Sequence, residues 1–236
     1  MENGKLSREE ALENSSCKHA CHVLFYCDTN TLLFERIPIK HIILMQMRFD
    51  GLLGFPGGLV NPQEETLEAG LSRELLEEVG VALPMSVEDH VDARYAPSKS
   101  SSKPLSGLIT HFYVRKMDEE QIREMERASA STATDHGLEV LGMVRVPLYT
   151  MRGGKGLPSF LSHSFIGNAR SQLVDFLLRL NLVAPWDLRN ALADSLKTHA
   201  DKAHDLRAAL ALTQANRKRF ESTPARAPAT SSQTSS

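Results

Sequence analysis

Apolar residues first organise at His19. In HACHVLFYC, residues 19–27, His19, Cys21, Val23, Phe25 and Cys27 alternate with Ala20, His22, Leu24 and Tyr26, the period-2 pattern of a strand. HIILMQM, His41 to Met47, is apolar almost throughout and predicts a buried strand. FDG then turns the chain into LLGF, a second short strand, and PGG breaks it. The next run changes period. Leu67, Leu71, Leu75 and Val79 recur every four residues and predict a helix from about Thr66 to Val79, stopped by Gly80. Further on, the pattern predicts strands in GLITHFYVRK (107–116) and GLEVLGMVRVPLY (137–149). It predicts helices in DEEQIREMERA (118–128) and SFIGNARSQLVDFLLRLNL (164–182). Residues 1–16 read as a loose arm with at most one helical turn, and SKSSSKP (98–104) as a flexible loop.

The order strand–strand–helix–strand–helix–strand–helix predicts an α/β layer fold, a mixed sheet sandwiched between helices. Past Pro185 the character changes. The segment is Leu/Ala-rich, with helical spacing at Leu188, Leu192 and Leu196, and predicts a helical extension over 184–220. Residues 221–236, ESTPARAPATSSQTSS, are low-complexity and read as a disordered tail. Residues 17–183 are left as the main domain. The chain has 236 residues, 42% of them apolar, enough for one generous core. A formal net charge of −2 excludes a bulk basic field for nucleic acid, so any such binding needs a local patch. NRKRF, Asn216 to Phe220, is one candidate for nuclear entry or RNA contact; the plainer reading is a solvated helix end. Three cysteines, Cys17, Cys21 and Cys27, argue against a disulfide framework and for a reducing compartment. No window approaches the roughly 18 apolar residues of a membrane span.

The predicted helix at 66–79 carries the candidate chemistry. RELLEEVG, Arg73 to Gly80, crowds Glu74, Glu77 and Glu78 into five residues. On a wheel with Leu71 at zero, the apolar stripe spans roughly −40° to +80°. Glu78 falls near −20°, Glu74 near −60° and Glu77 near −120°. Two carboxylates therefore border the buried stripe, where solvent screens them poorly. An unpaired buried carboxylate costs several kcal/mol, and a hard divalent cation such as Mg²⁺ or Mn²⁺ reverses the sign of that interaction. The bland alternative is a solvated acidic face.

With GFPGG upstream, the stretch GGLVNPQEETLEAGLSRELLEEVGV resembles the Nudix box, on Gly58, Arg73, Glu74, Glu77, Glu78 and Gly80. One departure stands out. The interval from Gly58 to Arg73 is one residue longer than the usual box, which leaves open whether Glu64 or Glu65 is the box's first glutamate. The resemblance implies pyrophosphate hydrolysis with two or three Mg²⁺ or Mn²⁺ ions per site. By it, Glu74 and Glu78 would be metal ligands and Glu77 a ligand or the base for the attacking water. The carbonyl of Gly57 or Gly58 would complete the metal shell. Arg73, four residues before Glu77, would pair with it and fix its rotamer.

Further stretches, HACH, RIPIKHIILMQMRFDGLLGFPGG, THFYVRK, DHGLEVLGMVRVPLYT and LPSFLSHSFIGNARSQL, resemble the snoRNA-decapping, (deoxy)inosine-diphosphatase branch of the Nudix hydrolases over roughly residues 10–180. That resemblance implies a nuclear and nucleolar homodimer, with the cytoplasm as a second compartment. It would remove m7G-type and metabolite caps from RNA, snoRNA and mRNA included, and hydrolyse IDP and dIDP. His22 and Gln172 would contact the base, Arg48 phosphate or ribose, and Phe55 would line the nucleotide pocket. Each has a plainer reading: a satisfied core histidine, a surface glutamine, an arginine reaching solvent, a core phenylalanine. Zinc at His22 and the cysteines is disfavoured, because alternation sends His22 and Cys21 to opposite faces and no second Cys pair follows. His111 and His136 are open candidates for auxiliary bases. Two competing readings remain: a catalytically silent Nudix fold that binds RNA or protein, or a pyrophosphatase for ADP-ribose, a dinucleotide or a CoA-type cap. A sister group of the silent kind lacks the box glutamates; here all three are present.

Overall fold

In the computed structural model of the chain, residues 4–96, 107–197, 206–207 and 209–211 are described. Two long strands, Lys18–Asp28 and Leu108–Lys116, lie parallel at the centre, in register from Lys18↔Leu108 to Tyr26↔Lys116. His41–Arg48 pairs antiparallel on the other side of Lys18–Asp28, and Val140–Arg145 closes that edge. His90–Ala96 flanks Leu108–Lys116, with Lys5–Leu6 outside it. The short strands Leu53–Gly54 and Leu59–Val60 pair with His41–Arg48 and Lys18–Asp28. One parallel pair among antiparallel neighbours makes the sheet mixed.

The alternation within residues 19–27 divides the core in two. Helix α1 (Arg8–Glu13) sits beside the sheet's outer edge, with Ala11 buried against Ala93 and Ile109. Cys21, Val23, Phe25 and Cys27 face α2 (Leu67–Val79) and α3 (Glu119–Ser131), where Leu71, Leu75, Val79, Ile122 and Met125 complete one apolar cluster. Leu24 and Phe112 face the opposite side. There α4 (Leu157–Leu161), α5 (Ala169–Arg179) and Leu188 and Ala191 of the helix at 185–197 complete the other. Each fully buried Leu or Phe side chain contributes about 1.5–3 kcal/mol.

Several elements differ from expectation. The arm is no loose appendage from Gly4 onward: Lys5–Leu6 joins the sheet, and the Ser7 hydroxyl and the Glu10 carboxylate cap α1 reciprocally. The strand expected at 137–149 is confined to Val140–Arg145, because the 132–139 loop is held against the end of α2 by Asp135 N donating to Glu77 O at 3.1 Å. The helix expected at 164–182 begins only at Ala169. Before it, Ser164 and Ile166 bond the backbone of Leu53 and Gly167 takes φ +48°, so Phe165 and Ile166 serve as a strand-like bridge. In the extension, Leu188 and Ala191 are buried but Leu196 is exposed; the packed face passes through Ser195 instead. The 98–104 loop, the NRKRF cluster and the 221–236 tail lie outside the described residues. No described helix is long and apolar enough to cross a membrane.

Candidate active site

The acidic helix is fixed at both ends. Thr66 Oγ1 accepts from Ala69 N at 3.1 Å as N-cap, and Gly80 closes the last turn at φ +74°, its N–H bonding Leu76 O. Leu71, Leu75 and Val79 have no exposed surface, which sets the rotation of the helix. The carboxylates then bury in wheel order. Glu78 is 5% exposed, the Glu74 side chain 18% and the Glu77 side chain 42%.

Glu78 is built into the loop that precedes the helix. Its Oε2 accepts from Gly57 N at 2.6 Å and its Oε1 from Gln46 Nε2 at 2.9 Å. Burial, reinforced by the Glu74 charge, pushes the Glu78 carboxyl up to about 7 against these two donors. Glu74 is raised too, chiefly by burial, with Arg73 opposing. Gly57 is a steric requirement: it stands at φ +121°, and a Cβ there would collide with the Cys21 backbone carbonyl; a Cβ on Gly58 would push the Glu74 carboxylate aside. The loop is stitched to the central strand by Cys21 N donating to Gly58 O and Val23 N to Pro56 O. One lone pair of the Gly58 carbonyl is therefore already engaged.

Arg73 is not chiefly a partner of Glu77. Its Nη1 lies 2.8 Å from Glu74 Oε1 and only 3.5 Å from Glu77 Oε2, while its Nη2 donates to Glu65 Oε1 at 2.9 Å and to Leu59 O at 3.3 Å. Glu65, not Glu64, is the loop glutamate drawn to this arginine, which ties the long Gly58–Arg73 interval back to the helix. Sequence reasoning missed Gln46, whose signal was a lone polar residue inside the apolar run HIILMQM; it is fully buried.

Three carboxylates with one exposed arginine form a site short of positive charge. Among the described residues, no three His, Cys, Asp or Glu side chains converge on one point as a closed cage. Glu74 and Glu78, both raised chiefly by burial, offer the kind of oxygen donors that a hard divalent cation takes.

Of the expected substrate residues, His22 and Gln172 stand out. Gln172 is 2% exposed, and its Nε2 finds no protein partner; His22 Nδ1 is likewise buried and unpartnered. Unmade hydrogen bonds of this kind are costly, and a ligand is one way to complete them. Burial, helped by the Arg48 charge, lowers the His22 imidazole to about 4, so it is neutral. Phe112 links the two: it is His22's register partner, and its ring packs on Phe55 and on Phe176 of α5, one turn from Gln172. Phe55, 3% exposed, is a core residue first. Arg48 lies over the Phe49 ring and meets Asp50 at 3.3 Å. His111 is fully buried, with His19 at 3.0 Å and His90 at 3.3 Å on its two nitrogens, and is pushed down to about 3 by burial and those neighbours. It has no nitrogen free to serve as a base. His136 is exposed in the loop that bonds the Glu77 carbonyl.

A capped helix that drives two carboxylates against a glycine turn, with a third at the rim, makes this chain a Nudix hydrolase, an enzyme of pyrophosphate-bond hydrolysis. It belongs to the Nudt16-like family, described as U8 snoRNA-decapping enzyme-like, whose model matches residues 19–183. The U8 snoRNA-decapping enzyme of Xenopus laevis is 45% identical over 191 residues, 80% of this chain and 88% of that protein. The Bos taurus enzyme of the same name is 48% identical over 183 residues, 77% and 91%. The human Tudor-interacting repair regulator protein is 41% identical over 191 residues, 80% and 87%.

Proposed function

We propose that this chain is a divalent-metal-dependent hydrolase that removes 5′ caps, m7G-type and metabolite, from RNA including snoRNA, and cleaves IDP and dIDP to the monophosphates. The observation that carries the reading is the Glu74–Glu77–Glu78 trio against Gly57 and Gly58, in a chain with decapping-enzyme relatives at 45–48% identity. A nuclear location and a homodimeric state go with the same reading.

Glu74 and Glu78 would hold Mg²⁺ or Mn²⁺ together with a carbonyl of the Gly57–Gly58 turn. Bound there, the metal neutralises phosphate charge and lowers the pKa of a coordinated water. The chain supplies the rest. Gln46 and Gly57 N–H hold the Glu78 carboxylate in one rotamer. Arg73, gripped by Glu65, keeps Glu74 from swinging out. Glu77, the most exposed of the three, is free to take the proton from the attacking water. His22 and Gln172 would read the base edge through their unused Nδ1 and Nε2.

A second reading has its own support: relatives named Tudor-interacting repair regulator, at 41–42% identity, raise a non-catalytic binding module. The intact trio argues against it. The test is a panel of capped RNA, IDP, dIDP and ADP-ribose, with Mn²⁺ and with chelator. Metal-dependent release of cap and of IMP supports the proposal. No turnover on any substrate would favour the module, and a preference for ADP-ribose would reassign the substrate.

A further inference from the structure

Four charged side chains that take no part in the box meet on the opposite face of the sheet. Asp92 has no exposed side-chain surface. Its Oδ2 accepts from Arg94 Nη2 at 3.1 Å, and the same Nη2 donates to Asp175 Oδ2 of α5 at 3.1 Å. Arg179, one turn further on, is 2.8 Å from Asp175 Oδ2 and 3.8 Å from Asp92 Oδ2. The set is neutral but incompletely satisfied: Asp92 Oδ1 and Arg94 Nε are buried without partners. Replacing a buried ion cluster by apolar side chains is often neutral or stabilising, so stability is a poor reason to keep one.

Its placement gives a better reason. Asp92, Phe112 and His22 are register neighbours across three strands. On α5, Gln172 lies three residues before Asp175, and Phe176 packs on Phe112. Leu173, Phe176 and Leu177 hold α5 to the sheet through apolar contacts, which are non-directional. The ion pairs that join α5 to the sheet, Arg94–Asp175 and Arg179–Asp92, have direction and register. We propose that Arg94, clamped between Asp92 and Asp175, is a positioning residue that fixes where α5 presents the Gln172 carboxamide opposite His22, and thereby sets base discrimination. Displacements of about 1 Å suffice to spoil such alignment. The proposal rests on the reading of His22 and Gln172 as base contacts.

The test measures binding of the monophosphates IMP and AMP to the full chain by calorimetry, so it does not depend on turnover. Arg94→Met should lower the IMP-over-AMP preference about tenfold. In a Gln172→Ala background, the same change should lower it no further. Asp175→Asn, which leaves Arg94 paired with Asp92, should reproduce the loss and serves if Arg94→Met fails to fold. An unchanged ratio in both single variants, or equal weakening of both ligands, would overturn the positioning role. Additive losses in the double variant would too. A wild-type protein that binds IMP and AMP alike would remove the base-contact reading itself, and this inference with it.

Discussion

Glu74, Glu77 and Glu78 share a helix yet sit in three environments, and those environments divide their work. Glu77 is the carboxylate least committed to the protein, so Glu77→Gln should fold normally and lose about 10²–10⁴-fold in turnover. Steady-state hydrolysis beside a thermal melt checks both halves. Glu78 makes a prediction about pH. Burial holds its folded pKa at about 7, above the usual carboxylate value of 4.5, so the metal-free fold prefers it protonated. That contribution is fully present below about 4.5 and is lost as pH rises through about 7. A cation binds the deprotonated form and releases the proton. Mg²⁺ should therefore raise the melting temperature more at pH 8 than at pH 5.5, and Glu78→Gln should flatten the difference. Equal Mg²⁺ shifts at the two pH values would count against Glu78 as a ligand. Two histidines act oppositely. His22 and His111 have folded values of about 4 and about 3, below 6.5, so their contribution is present above 6.5 and is lost on acidification.

At the scale of elements, helix α2 was legible because its rules are local. A four-residue apolar repeat and Gly80 as stop gave its bounds, Thr66 proving to be the N-cap one residue before the helix, and the wheel ranked the carboxylates as burial ranks them. Thr66→Ala should cost about 1 kcal/mol in denaturant unfolding by removing the cap bond to Ala69 N. The strand His90–Ala96 was illegible for the converse reason. Val91, Ala93 and Tyr95 do alternate with His90, Asp92 and Arg94, but the run is short and the polar set is drawn inward to serve the histidine contacts and the ion set, so its low apolar content hides the strand. Helix α1 was too short, at six residues, to show a period. The start of α5 was misplaced because Phe165 and Ile166 continue an apolar run while their backbone pairs with Leu53. The box glutamates could be read from sequence, but the pairing of Gln46 with Glu78 and the choice of Glu65 over Glu64 could not, since both depend on how strand, loop and helix come together.

The whole molecule is a two-sided stack, with the box carboxylates on the α2 side and the buried Gln172, whose Nε2 lacks a partner, on the α5 side. The extension at 185–197 belongs to the second core through Leu188, Ala191 and Leu192. Ending the chain after Val183 should therefore cost several kcal/mol of stability, from burial of about 1.5–3 kcal/mol per large apolar side chain. Metal-dependent turnover should survive at low temperature. Denaturant titration and assays at two temperatures separate these effects; an unchanged unfolding midpoint would show that the helix does not support the core.

The parallel pairing of Lys18–Asp28 with Leu108–Lys116 joins segments about 90 positions apart. Contacts this distant in sequence form late, after the loop between them has been closed. During synthesis, the turn at Gly57 and Gly58 and the whole acidic helix leave the ribosome well before the strand that completes their support. A nascent chain arrested short of Leu108 carries the full box and the strands nearest to it but lacks the central strand that pairs with Lys18–Asp28, so hydrolytic competence should be gained only once the second half of the domain has emerged.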